Sequence, residues 1–149
     1  MLHYEDMVVG DRTVIGSYRI TRDEIIEFAR RFDPQPFHVD EAAGRASIYG
    51  GLTASSAHTF ALMALIEHRS GRKGAYVANL GAEHLRFPAP LRPDDEVTLT
   101  SEVVAARVSR SRPEIGLVTT EGNLVNQRGE VVMEMRGTIM IRRRAAARG

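Results

Sequence analysis

The sequence predicts an α+β fold in which a curved antiparallel sheet wraps one long central helix. Residues 52–68 are small or apolar at almost every position, which is typical of a helix buried on all sides. Residues 75–142 contain four segments rich in Val, Ile, Thr and Leu, separated by turn sequences. Long strands with short connections favour an antiparallel meander, and the single buried helix needs such a sheet to cover it.

The first part of the chain predicts a strand followed by a capped helix. Residues 2–20 are expected to be extended, with a turn near VGDR. Thr21 stands directly before apolar residues at helical spacing, and Glu24 follows it by three residues, which predicts a capping box. The helix is expected to end at Asp33, because a residue that precedes proline disfavours helical backbone angles.

Two further helix starts are indicated before the sheet. Asp40 is expected to cap a short helix over residues 41–46. Gly50 and Gly51 stand before the long apolar helix, where they would expose backbone N–H groups at its positive end. Such groups can stabilise negative charge on a carbonyl oxygen, although a glycine pair also serves simply for close packing.

Composition and charge are those of one ordinary globular domain. The 149 residues are 43% hydrophobic and 26% charged with a formal net charge of +1, which indicates no nucleic-acid or membrane partner. Without cysteine the chain can form neither disulfides nor thiolate metal sites. The charged N-terminal residues and the lack of a long apolar run predict a cytoplasmic protein. We expect one domain over residues 1–149, with a solvated basic tail over residues 143–149.

The segment between the first two predicted helices carries a candidate acid–base pair. It reads DPQPFH, so Asp33 and His38 flank a stretch that contains Pro34 and Pro36. Because proline fixes its own backbone angle, the two side chains should keep a nearly constant relationship. A carboxylate and an imidazole that share one water molecule can accept and relay its protons near neutral pH. Taken singly, Asp33 could be a turn residue and His38 a packed histidine.

Two other kinds of catalytic site receive less support. His38, Asp40 and His58 could act as metal ligands, but their spacing matches no strong metal-binding pattern. No serine lies in the GxSxG turn of serine hydrolases. The hydroxyls of the central helix, including Ser56 and Thr59, are expected mostly to bond to carbonyl groups one turn earlier.

Four motifs give the chain a resemblance to the MaoC-like dehydratases, the branch of the hotdog fold that includes R-specific enoyl-CoA hydratases. The first is DPQPFH, in which His38 follows Asp33 at the spacing of the hydratase motif. The second and third are YGGLTASSAHT at the central helix and LGAEHLRFPAPLRPDDEV after it. The fourth is the late pair SRSRPEIGLV and NQRGEVVMEM, so that the resemblance covers nearly the whole chain.

The resemblance implies a hotdog fold and assigns roles to individual residues. Asp33 and His38 would be the catalytic pair that holds and activates water. The backbone N–H of Gly51 would form the oxyanion hole for a thioester carbonyl. A hydroxyl of the central helix, Thr59 or alternatively Ser56, would help to hold the pair. A homodimer, or a higher oligomer, is implied as the usual unit of the family.

The activity implied by the resemblance is that of a hydro-lyase. It would add water reversibly to a trans-2-enoyl-CoA and yield an (R)-3-hydroxyacyl-CoA. No metal or redox cofactor is implied, since coenzyme A enters as part of the substrate. Phe37 is expected at the substrate site, and Arg86 and Arg92 are candidates for the phosphates, although each is more simply a solvated arginine. A hotdog acyl-CoA thioesterase and a non-catalytic acyl-CoA-binding protein are the alternatives.

Three departures from the hydratase pattern bear on the substrate rather than on the acid–base pair. Phe32 stands where the motif has glycine, and Gln35 stands where it has asparagine. The segment between His38 and Gly51 is shorter than in the well-known hydratases, which removes part of the region that covers the acyl chain. The sequence therefore predicts a reaction class and leaves the acyl group open.

Overall fold

The computed structural model describes residues 1–145 and confirms the predicted α+β class. The elements in chain order are a 3₁₀ turn (Tyr4–Asp6), β1 (Arg12–Arg19), α1 (Arg22–Phe32), α2 (Pro36–Val39), α3 (Glu41–Ala46), α4 (Ser56–Arg69), β2 (Tyr76–Arg86), β3 (Glu96–Val108), β4 (Ile115–Val125) and β5 (Val131–Arg142). The five strands form one antiparallel sheet in the order β1-β3-β4-β5-β2.

The sheet is a meander only in part, which corrects the expectation of a continuous one. β3, β4 and β5 are neighbours in chain order, but β2 pairs with β5 and β1 pairs with β3. The link over residues 87–95 makes this crossing possible, because nine residues can span roughly 30 Å and three strand spacings amount to about 14 Å. β2 therefore lies at a free edge of the sheet.

The predicted helix caps are confirmed. The hydroxyl of Thr21 accepts from the N–H of Glu24 at 3.2 Å, and the carboxylate of Glu24 accepts from the N–H of Thr21 at 2.7 Å. The carboxylate of Asp40 accepts from the N–H of Ala43 at 2.7 Å at the start of α3. These bonds satisfy N–H groups that a helix start otherwise leaves unpaired, and so they fix where both helices begin.

The core lies between the helices and one face of the sheet. Its buried cluster joins Ile25 of α1, Leu62 and Ile66 of α4, and Leu99 and Leu124 of the sheet. α4 is the longest helix among the described residues, with 14 residues, and no helix of that part of the chain has the length and apolar character needed to cross a membrane. The packing of α1 and α4 together positions the segments that connect them.

α4 is not buried on every side, contrary to the expectation from its composition. Ala57, Ala61 and Ala64 lie on one exposed stripe, because the core covers only the opposite face of the helix. β2 is exposed along almost its whole length, including the large apolar side chains of Val77 and Leu80. A single chain therefore presents two apolar surfaces to solvent.

The turn expected near VGDR is present, with a φ of +94° at Gly10. The rest of the N-terminal segment is not wholly extended, which corrects the expectation for residues 2–20. The turn over Tyr4–Asp6 interrupts it, and the guanidinium of Arg144 bonds to the carboxylate of Asp6 at 2.7 Å. The N–H of Arg143 also donates to the carbonyl of Glu114 at 2.9 Å, so the start of the predicted tail is attached to the domain. The remainder of that tail, residues 146–149, lies outside the described residues.

Candidate active site

Asp33 and His38 lie at the two ends of a short proline-containing link. Asp33 ends α1, with its N–H bonded to the carbonyl of Ala29 at 2.9 Å and its φ of −156° outside the helical region, as expected before a proline. Pro36 then starts the one-turn helix α2. At this first helical position the N–H that proline lacks would have no partner within the helix. The segment is thus partly helical rather than a simple loop, which restricts the backbone of His38 further.

One hydrogen bond fixes the imidazole of His38. Its Nδ1 donates to the carbonyl oxygen of Thr53 at 2.6 Å, and because a carbonyl only accepts, Nδ1 carries the proton of the neutral ring. Nε2 is then an acceptor, and it faces Oδ2 of Asp33 at 3.8 Å. This separation exceeds hydrogen-bond length, so the two groups do not bond to each other directly. His38 is buried and the Asp33 side chain is 34% exposed, so the pair opens to solvent beside Asp33.

The pair has the chemistry to hold one water molecule. The two O–H groups of a water could donate one hydrogen bond to Nε2 of His38 and one to the carboxylate of Asp33, across the gap of 3.8 Å. The lone pairs of that water would remain free to attack a carbon atom. Either acceptor could take the proton released during the attack, which is general base catalysis.

Gly50 and Gly51 do not open the central helix, which corrects their placement from the sequence. α4 begins at Ser56 because the hydroxyl of Ser55 caps it, accepting from the N–H of His58 at 3.1 Å. The glycines form a separate turn with a φ of +65° at Gly50. The N–H of Gly51 has no hydrogen-bond acceptor among residues 1–145. This donor is therefore free, but it does not stand at the helix end.

Gly44 and Arg92 both lie against this glycine turn. A Cβ atom at Gly44 would stand 2.6 Å from the backbone nitrogen of Leu52 and 2.8 Å from the carbonyl carbon of Gly51, so only glycine permits the approach. The guanidinium of Arg92 donates to the carbonyl of Tyr49 at 2.5 Å. No sequence motif signals these contacts, because each joins residues that are not neighbours along the chain.

The helix hydroxyls do not bond directly to the acid–base pair. Thr59 is buried, and its hydroxyl donates to the carbonyl of Ser55 at 3.1 Å, one turn earlier in the chain. Ser56 is exposed at the first position of α4. The bonding of Thr59 is that expected of a hydroxyl in an apolar helix.

The remaining predicted substrate residues differ in how close they come to the pair. Phe37 packs its ring edge against His38, with centroids 4.5 Å apart, and also lies 5.4 Å from the ring of Tyr49. Arg86 is the last residue of β2 and is exposed. Arg92 is partly buried at the glycine turn, so it is not a freely solvated arginine.

His58 is a buried polar side chain that the sequence indicates only as a possible metal ligand. Its ring stacks on Phe28 with centroids 4.2 Å apart, and its Nδ1 has no hydrogen-bond partner among the described residues. Burial lowers the pKa of His58, and the charge of Glu24 partly opposes this effect. In the part of the chain that the structure describes, no three His, Asp or Glu side chains are grouped so as to hold a metal ion.

A surface groove of about 870 Å³ runs between α1 and α3 but does not include the pair. Arginines and carboxylates form most of its walls, Arg30, Glu27 and Glu41 among them. Sites for acyl chains are usually lined mainly by apolar and aromatic side chains, whereas this groove has only Ile26, Val39 and Ala42 among its charged residues. The candidate site is therefore assigned from the chemistry of Asp33, His38 and the glycine turn.

The chain is similar to proteins of one family along most of its length. The family model described as the MaoC like domain matches residues 9–126. The crystal structure of the MaoC-like dehydratase from Rhodospirillum rubrum is 40% identical, with a TM-score of 0.92 over 98% of this chain and 100% of that chain. The fold is thus the hotdog fold that the resemblance implies.

Two named hydratases are also similar. The R-hydratase PhaJ1 from Pseudomonas aeruginosa, in its unliganded form, is 21% identical with a TM-score of 0.69, over 95% of this chain and 86% of that chain. This likeness shows the fold alone. The mesaconyl-CoA hydratase of Haloarcula hispanica is 40% identical over 77 residues, which are 50% of this chain and 21% of that protein.

Proposed function

Since the chain belongs to the MaoC-like domain family, we propose that it is a hydro-lyase that adds water reversibly to a trans-2-enoyl-CoA and yields an (R)-3-hydroxyacyl-CoA. The observation that carries the proposal is the placement of Nε2 of His38 and the Asp33 carboxylate as two acceptors around a gap suited to water. The local likeness to a mesaconyl-CoA hydratase supports an acyl-CoA as the substrate class.

The proposed reaction uses the water held between Asp33 and His38. Its oxygen attacks C3 of the enoyl group, one of its protons passes to the pair, and the electrons of the double bond move towards the thioester carbonyl. The enolate then takes a proton at C2 from the pair, so the pair returns to its starting state. Because Nδ1 of His38 is occupied by Thr53, the protons move through Nε2 and the Asp33 carboxylate.

The N–H of Gly51 is proposed to bind the thioester oxygen while that oxygen carries negative charge. It is suited to this because it has no other acceptor among the described residues. A single donor of this kind typically changes turnover by about 10²–10³-fold. Phe37 would line the acyl site beside the pair, and Arg86 would meet the coenzyme A phosphates.

A homodimer is proposed as the working unit. The free edge of β2 presents unpaired backbone groups, and its exposed Val77 and Leu80 are apolar. The exposed stripe of Ala57, Ala61 and Ala64 on α4 adds a second apolar surface. Pairing of two chains across a two-fold axis would cover both surfaces with identical ones.

The test of the proposed reaction is an assay of the pure protein with a panel of enoyl-CoA esters. Loss of the ultraviolet absorbance of the conjugated double bond measures hydration, and a thiol reagent measures release of coenzyme A in the same sample. Hydration without thiol release is the expected result. Thiol release without hydration would identify a thioesterase, and tight binding of esters with neither reaction would identify a binding protein.

A further inference from the structure

The loop after β2 holds the segment that carries the glycine turn. The carbonyl of Leu91 accepts from the N–H of Ala54 at 2.8 Å and from the hydroxyl of Thr53 at 3.1 Å. The carbonyl of that same Thr53 fixes His38. One loop therefore contacts both parts of this segment. Its Leu91 binds Thr53, which fixes the imidazole, and the next residue, Arg92, binds the glycine turn.

Arg92 reaches the turn with its side chain. One guanidinium nitrogen donates to the carbonyl of Tyr49 at 2.5 Å, and Nη1 would stand 3.1 Å from a Cβ atom placed on Gly51. No carboxylate of residues 1–145 lies within 4.0 Å of this guanidinium. Among the described residues, the guanidinium therefore bonds to a main-chain carbonyl and to no carboxylate.

The backbone of Arg92 is itself fixed by a buried carboxylate. Oδ2 of Asp95 accepts from the N–H of Arg92 at 2.9 Å, and Asp95 is only 1% exposed. The other oxygen of Asp95 accepts from Gln127 at 2.9 Å and pairs with Arg128 at 3.1 Å. Contacts in the loop before β3 and from the turn between β4 and β5 therefore fix the backbone of Arg92. The point from which its side chain extends is fixed with it.

We propose that Arg92 is a positioning residue that holds the Tyr49–Gly51 turn so that the Gly51 N–H points into the active site. The inference rests on the proposed function, in which that N–H binds the thioester oxygen. Arg92 acts through the backbone and not by contact with the reacting atoms. A displacement of the donor by about 1 Å is enough to lower turnover by roughly 10²-fold.

The variant Arg92→Met keeps the length of the side chain and removes the hydrogen bond to Tyr49. With an enoyl-CoA and with the matching enoyl-N-acetylcysteamine thioester, which lacks the nucleotide, we expect kcat to fall by the same factor, about 10–100-fold. KM for either ester should change little. The matched control is Arg110→Met, which removes an exposed arginine outside the site and should leave both reactions unchanged.

Two results of this comparison would overturn the inference. A loss confined to the coenzyme A ester, with a raised KM, would show that Arg92 binds a phosphate. Unchanged kcat with both esters would show that the contact with Tyr49 is not used. The variant Arg92→Lys makes the same comparison with a smaller change, in case Arg92→Met does not fold.

Hydrogen exchange tests the positioning role of Arg92 without a measurement of activity. The N–H groups of Gly50 and Ala54 are hydrogen-bonded within the held segment, to Ser47 and Leu91. Peptides that cover residues 49–54 should lose protection in Arg92→Met and keep it in Arg110→Met. Unchanged exchange in Arg92→Met would overturn the positioning role, whereas a wild-type protein without hydratase activity would overturn the proposed function only.

Discussion

The imidazole of His38 donates from Nδ1 to the carbonyl oxygen of Thr53 at 2.6 Å. The acceptor belongs to the backbone, so no substitution at Thr53 removes it directly, and the orientation of the ring depends on the path of the chain. The bond also leaves Nε2 as the nitrogen that faces Asp33. Asp33 can therefore be replaced while the bond that anchors the ring of His38 stays intact.

The first prediction concerns the pair itself. Asp33→Asn keeps the size of the side chain but removes the base, and His38→Gln keeps a polar group but removes proton transfer at Nε2. Each variant should lower the hydration rate by about 10²–10⁴-fold, the usual effect of a positioned acid or base. The double variant should be little worse than either single one, because both groups act on one water molecule. Absorbance of the enoyl ester measures the rates.

A matched control and a melting curve separate catalysis from folding. Asp23→Asn changes an exposed carboxylate in the first turn of α1 and should leave the rate unchanged. The melting temperatures of the Asp33 and His38 variants should stay close to that of the wild type. Near-wild-type hydration in either variant would refute the catalytic assignment, and unfolding of both would show that the segment is structural.

The second prediction concerns the close approach of Gly44 to the glycine turn. In Gly44→Ala the new Cβ would meet the backbone of Leu52 at 2.6 Å, so α3 or the turn must move. We expect a loss of about 1–3 kcal/mol in the free energy of unfolding, as for other overpacked sites, together with a lower kcat. Urea unfolding and the absorbance assay measure the two effects.

Gly122→Ala is the control for this substitution. Its Cβ would lie 3.7 Å from the carbonyl of Thr100, which is ordinary van der Waals contact. A similar loss of stability in both variants would mean that the closeness of α3 to the turn is not the cause.

The third prediction is that the protein is a homodimer of about 33 kDa by light scattering, twice the chain mass of 16.5 kDa. Leu80→Lys places a charge on the exposed edge strand β2 and should shift the protein to the monomer. Val14→Lys places the same charge on β1, where Val14 is similarly exposed, and should leave the dimer intact. A wild-type monomer at micromolar concentration would contradict the prediction.

The fourth prediction follows from the buried ring of His58. Burial lowers the pKa of His58, so the folded protein binds its proton less readily than the unfolded chain, in which the pKa is about 6.5. This residue's contribution to stability is therefore complete above pH 6.5 and is lost as the pH falls below that value. His58→Gln should show a smaller decrease in melting temperature between pH 7.5 and pH 5.5 than the wild type does.

His68→Gln serves as the control, since His68 is exposed at the end of α4 and its replacement should leave the acid dependence unchanged. If wild type and His58→Gln lose equal stability over this range, another group causes the acid sensitivity. Glu24, whose charge opposes the shift at His58, is the neighbouring group to replace next.

Local signals explain what could be predicted from the sequence. The capping pair Thr21 and Glu24 lies within one turn, and the spacing of Asp33 and His38 is set by two prolines between them. The four segments expected over residues 75–142 are the four strands β2 to β5, because turn residues mark their ends. These features depend on neighbours along the chain.

Features that depend on distant contacts could not be predicted in the same way. β2 pairs with β5, although the sequence favours pairing with β3, because β1 occupies the free side of β3. The start of α4 was misplaced because Ser55, not the glycine pair, supplies the cap. The bonds from His38 to Thr53 and from Arg92 to Tyr49 join separate segments of the chain. A histidine or an arginine in the sequence does not indicate which distant carbonyl it will bind.

The contact between α3 and the glycine turn also limits how the protein can evolve. No side chain fits at position 44 without moving the backbone of Gly51 and Leu52. As long as α3 keeps its position, only glycine is compatible with this site. The exposed residues around it, such as Ala42, Arg45 and Ala46, carry no such restriction. Relatives that keep this packing should therefore differ at the residues around position 44 but keep the glycine. The sequence of α3 can then change while its contact with the glycine turn is conserved.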